Sequence, residues 1–89
     1  MFKKGITDMR LLDINLQILE EVISHLGPNF YTKDVSEHPQ MIREHHEFVD
    51  NGEAAYHSVV GRVISKYHDF LKVTEIDRHT PRGSLWEKE

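Results

Sequence analysis

Residues 70–86 read FLKVTEIDRHTPRGSLW, and how this stretch is folded decides how the whole chain is read. Upstream of it the apolar positions recur at helical spacing. From Phe70 the pattern shifts to aromatic and β-branched residues alternating with charged ones, which predicts a strand over Phe70–Arg78. In Thr80-Pro81-Arg82-Gly83 the proline pre-sets the first turn position and the glycine accepts a positive φ. The chain is therefore expected to reverse into a second strand through Leu85-Trp86, giving a hairpin over residues 70–88. Two arginines, Arg78 and Arg82, flank this reversal in a chain whose formal net charge is -4.

That charge is unevenly distributed. Residues 34–55 hold six acids against the single base Arg43, whereas residues 56–86 hold five bases against three acids. The C-terminal half therefore carries a local positive surplus, and whole-chain charge is a poor guide to what it binds. With 89 residues the chain is expected to form one domain over 1–89. Its 38% hydrophobic and 29% charged residues are ordinary for a globular protein. No apolar run approaches the roughly 20 residues that a membrane-spanning helix needs, so no membrane association is expected. Lys3 and Lys4 are not followed by an apolar core, unlike a secretory signal. The absence of cysteine fits an intracellular, cytoplasmic protein and excludes thiolate chemistry.

Working upstream, Glu53–Tyr67 is predicted helical. Tyr56, Val59, Val60, Val63, Ile64 and Tyr67 form one stripe at about 100° per residue, the pattern of a face turned to the core. Ala54, His57, Ser58, Gly61, Arg62 and Ser65 lie opposite, with Lys66 at the edge. Glycine inside a helix costs about 1 kcal/mol relative to alanine, so Gly61 on that face calls for a reason, such as close approach of another surface. Asp50-Asn51-Gly52 is a turn. Before it, residues 33–50 read as a helix broken at Pro39: either a short turn followed by a fresh helix with Pro39 in its first position, or one kinked helix. Met41, Ile42, His45, Phe48 and Val49 share its apolar face, and Thr32 is placed to cap its start. Phe30-Tyr31 is a short extended piece. A first helix spans residues 13–26, with Leu12, Leu16, Ile18, Leu19, Val22, Ile23 and Leu26 on its apolar side. Thr7, Asp8 and Asp13 are its candidate N-caps, and Gly27 is expected as its left-handed cap. Residues 1–12 are expected to form an extended arm.

The order helix, short strand, helix, turn, helix, hairpin resembles the winged helix-turn-helix class: α+β, with three helices and a C-terminal β-hairpin as the wing. The likeness is of architecture, without a diagnostic motif. It implies a third helix lying in the DNA major groove and a wing that touches the neighbouring backbone. On that basis the chain is expected to bind double-stranded DNA as a transcriptional regulator. The recognition helix would use His57, Ser58, Gly61, Arg62, Ser65 and Lys66, and the wing Arg78, His79, Thr80 and Arg82. A module this small makes few phosphate contacts, so a homodimer is expected to help, joined through the first helix or the arm before it. The alternative is a winged-helix protein-interaction module that does not bind DNA.

Seven histidines raise the question of a metal. His45 and His46 diverge by about 100° on a helix, and no third ligand stands at structural-zinc spacing, so no metal or other cofactor is expected. His45 reads instead as a buried, hydrogen-bonded side chain. No catalytic residue is assigned: there is no glycine-rich phosphate loop and no nucleophile elbow, and the paired carboxylates lie on polar faces. The chain is not expected to be an enzyme.

Overall fold

A computed structural model describes residues 10–89, so the expected arm over 1–12, including the candidate caps Thr7 and Asp8, lies for the most part outside the described residues. The described part is α+β, with six α-helices and a three-stranded antiparallel sheet. A 3-10 turn over Leu11–Asp13 precedes α1 (Leu16–His25). Asn15, rather than Asp13, caps α1: its Oδ1 accepts the N–H groups of Gln17 and Ile18 at 3.1 and 3.2 Å. Asp13 is used one turn earlier, where its carboxylate accepts the Arg10 N–H. Leu19, Val22 and Ile23 are buried, as their spacing predicts. The helix ends because Leu26 turns extended, with φ -89° and ψ 166°. Gly27 does not supply a left-handed cap, since Gly83 is the glycine found at positive φ.

β1 (Asn29–Tyr31) follows, and α2 (Thr32–Ser36) begins directly after it, with Thr32 inside the helix rather than capping it. The Asp34 carboxylate accepts the Tyr31 N–H at 2.9 Å and so closes the first turn. Pro39 opens a fresh helix, α3 (Pro39–Glu44), capped by His38, whose Nδ1 accepts the Gln40 N–H at 3.1 Å. A second break, not evident in the sequence, falls at His45, with φ -116° and ψ 28°, before α4 (His46–Asn51). The segment expected as one broken helix is thus three short ones, so the helix count differs from three. The order of elements remains compatible with a winged helix. Within α3 the expected apolar face is only partly used: Met41 is buried, while its neighbour Ile42, about 100° round the helix, stands 36% exposed.

His45 is the buried joint of this region. Its Nε2 accepts the Asn15 N–H at 3.0 Å, which makes Nδ1 the protonated nitrogen, donating to the Met41 carbonyl at 2.9 Å. One imidazole thereby ties the start of α1 to the end of α3.

The long helix α5 spans Glu53–Lys66. Tyr56, Val59, Val60, Val63 and Ile64 are buried on one face, as predicted, and Tyr67 packs against them at the edge. Burial pushes the Tyr56 phenol well above its ordinary pKa, and its hydroxyl donates to the Ser36 carbonyl.

The expected strand start at Phe70 is displaced. His68–Leu71 makes one more helical turn, α6, and Lys72 turns the chain in the left-handed region at φ 59°. This places Leu71 in the core and leaves Phe70 56% exposed. The alternation then begins at Val73 in β2 (Val73–Thr80), followed by β3 (Gly83–Lys88). Gly83 takes φ +90°, as the turn requires. The strand order is β1-β3-β2, with Phe30 opposite Trp86 and Tyr31 opposite Leu85. β2 pairs with β3 through register shifts on either side of Asp77.

Thr32 joins the layers. Its Oγ1 accepts the Trp86 indole N–H at 2.9 Å and donates to the Ser84 carbonyl at 3.4 Å. A Cβ on Gly61 of α5 would meet Thr32 Cγ2 at 3.5 Å, and one on Gly83 would meet Thr32 Cβ at 3.0 Å. The long helix and the turn of the hairpin therefore close on the same side chain.

Candidate nucleic-acid interface

With its apolar stripe committed to the core, α5 turns Ser58, Arg62, Ser65 and Lys66 outward, all exposed. Among the described residues Arg62 has no hydrogen-bond or ion-pair partner. Lys66 lies with Nζ 5.6 Å from the centroid of the Tyr67 ring, which leaves its ammonium at the surface. The other two residues assigned to this face are less open. His57 is half-buried, with Nδ1 2.5 Å from Ser36 Oγ, and its ring is tilted against Tyr56. Gly61 faces Thr32, where α2 packs onto α5, and is not turned fully outward with the others. At 3.5 Å the contact would be an ordinary one for a methyl group.

The hairpin places its assigned residues differently. The Arg78 guanidinium donates to Glu75 Oε1 at 3.0 Å. Arg82 leaves the turn and reaches α2, with Nη2 2.7 Å from Asp34 Oδ1 and 3.5 Å from Glu37 Oε1. Its guanidinium carbon lies 5.9 Å from the Tyr31 ring centroid. His79 and Thr80 shape the backbone: the His79 N–H donates to Asp77, the Arg82 N–H donates to the Thr80 hydroxyl, and that hydroxyl donates to the Gly83 carbonyl.

These pairings leave their mark on ionisation. The hydrogen bond from the Ser84 hydroxyl, helped by Arg78 and opposed by partial burial, lowers the Glu75 pKa below its ordinary value. The hydrogen bond to Asp34, with Glu37 adding attraction, raises that of Arg82. Neither hairpin arginine is thus an uncompensated positive charge.

The two sets of residues meet in part. A cleft of about 310 Å³ is lined by Ser65 and His68 from the helical side and by Thr74, Glu75, Arg78, Trp86 and Glu89 from the sheet. Ser65 and Arg78 therefore share one concavity, whereas Arg82 is drawn to α2. Asp34, Glu37 and Glu75, which decide what the hairpin arginines can do, were not singled out from the sequence. Glu75 stands three residues before Arg78 and is readable in retrospect, but nothing local links Asp34 to Arg82, 48 positions away.

Among the described residues no three His, Asp or Glu side chains come together as a metal site. Likewise, no helix there is long and apolar enough to cross a membrane. No protein-family profile, no curated protein and no solved structure matches the chain.

Proposed function

We propose that this chain binds double-stranded DNA as a winged-helix protein and acts as a transcriptional regulator, with α5 in the major groove. The observation that carries the reading is the outer face of α5, where Arg62 stands exposed between Ser58, Ser65 and Lys66 and has no partner among the described residues. A guanidinium without a protein partner can donate to a guanine edge or a phosphate without first giving up an internal bond. The cleft lined by both Ser65 and Arg78 supports the same reading, because it brings a basic residue of the hairpin to the C-terminal end of that helix. Ser58 and Ser65 are short enough to let a groove wall approach. A homodimer would supply the further phosphate contacts that one small module lacks.

Fluorescence anisotropy against a random duplex at low salt, with the molecular mass measured in parallel, tests this. Binding is expected to weaken steeply as salt rises, since phosphate contacts release counterions. Arg62→Glu should cost about 1–3 kcal/mol of binding, the size of one lost specific contact. No retention at low salt, or retention insensitive to salt, defeats the reading.

A protein-interaction role would draw on a different observation: Phe70 and Ile76 are 56% and 50% exposed and offer apolar surface to a partner. On that reading, Phe70→Ser/Ile76→Ser would abolish partner capture, and Arg62→Glu would leave it intact.

A further inference from the structure

We propose that Asp34 and Glu37 act as a clasp that withholds Arg82 from DNA phosphates, so that the hairpin contributes to affinity only when the guanidinium is released. This inference rests on the DNA-binding reading. The side chain and the backbone at the turn are held independently. The Arg82 carbonyl accepts the Lys33 N–H at 3.1 Å, and the Arg82 N–H donates to Thr80 Oγ1 at 3.1 Å. The turn therefore stays seated on α2 whether or not the guanidinium is engaged. The guanidinium itself makes only exposed contacts: side-chain exposure is 46% for Arg82, 34% for Asp34 and 49% for Glu37. Exposed ion pairs are individually weak and yield to a competing anion. Two carboxylates facing one guanidinium also leave these three side chains with a net negative charge, which opposes approach of a phosphate until the carboxylates are neutralised. Of the two hairpin arginines, Arg82 lies in the turn itself, while Arg78 is taken up by Glu75 on its own strand.

Asp34→Asn keeps a side-chain oxygen to accept the Tyr31 N–H, so the first turn of α2 can be retained while the charge is removed. The experiment compares duplex affinity and its salt dependence for the wild type, D34N/E37Q and D34N/E37Q/R82Q, with circular dichroism and a thermal melt on each. Opening the clasp is expected to tighten binding several-fold and to steepen the slope of log affinity against log salt by about 0.9, one added phosphate. Both gains are expected to vanish in the triple variant, because a general loss of negative charge would persist without Arg82. Glu37→Gln alone touches no capping bond and is expected to fall between wild type and the double variant, which keeps the test intact should Asp34→Asn loosen α2. If the wild type binds and D34N/E37Q binds no tighter, or if the gain survives Arg82→Gln, the clasp is overturned and the reading of α5 stands. If neither wild type nor D34N/E37Q binds duplex at low salt, the reading of α5 falls and the clasp with it.

Discussion

The outer face of α5 and the β2-β3 hairpin both present arginines to solvent, and in the sequence they look alike: basic residues three or four positions from small or polar ones. In the folded chain they differ in what the charge is doing. Arg62 of α5 has no partner among the described residues, whereas Arg78 and Arg82 of the hairpin are each held by carboxylates at 2.7–3.0 Å. The difference shows that a cationic turn is a statement about composition, and availability is a statement about neighbours. An arginine paired within its own domain must exchange one anion for another before it can bind a ligand, and its net contribution shrinks accordingly.

The contrast assumes that the hairpin is a structural part of the domain and not a loose flap. The largest test of this is Trp86→Ala. The indole is 2% exposed and hydrogen-bonded to Thr32, so its removal leaves a cavity between the sheet and α2 and takes from the Thr32 hydroxyl the donor it accepts from. A loss of about 3–5 kcal/mol in chemical denaturation is expected, with α5 and the hairpin unfolding together. Separate transitions for the two would break the comparison.

A smaller effect, with the opposite sign, is expected at Gly61. A methyl group there would rest on Thr32 Cγ2 at an ordinary distance, and alanine is the better helix former. Gly61→Ala is therefore expected to be neutral or to stabilise by up to about 1 kcal/mol. If stability falls instead, α2 packs onto α5 with less room to give than that contact implies.

The smallest effect is on the hairpin's own ion pair. Glu75 has its pKa lowered by Ser84 and Arg78, so the stability it contributes is complete above the ordinary carboxylate range and is lost as pH falls through the depressed value. Glu75→Gln is expected to lower the neutral-pH plateau slightly and to flatten the acid limb by the same small amount, leaving stability at the acid end unchanged. Melting temperature against pH measures it. An unchanged acid limb would mean that neither Ser84 nor Arg78 holds the Glu75 carboxylate.

What could be read along the chain follows the range of the forces involved. The buried stripe of α5, the turn at Pro81-Arg82-Gly83, the short strand at Phe30-Tyr31 and the fresh helix at Pro39 all arise from periodicity or from residues that restrict their own backbone. The extra turn at His68–Leu71 was hidden because Phe70-Leu71-Lys72-Val73 fits a strand pattern locally. Only the need to seat Leu71 in the core, with Lys72 turning left-handed, selects the helix. The break at His45 was hidden for a similar reason, since its ring is satisfied by Asn15, thirty residues upstream. At the candidate interface the exposed residues Ser58, Arg62, Ser65 and Lys66 were legible from the helical wheel. The role of Gly61 and the partners of Arg82 were not, because both depend on α2 folding back across two other elements.

β3 lies between β1 and β2 in the sheet although it follows both in the chain. During synthesis each helix can coil as it leaves the ribosome, but the two earlier strands have nothing to pair with until residues 83–88 emerge. Phe30, Thr32 and Val73 must wait for the last segment, so the sheet forms in one late step, and a nascent chain halted after β2 displays two open strand edges to any neighbour.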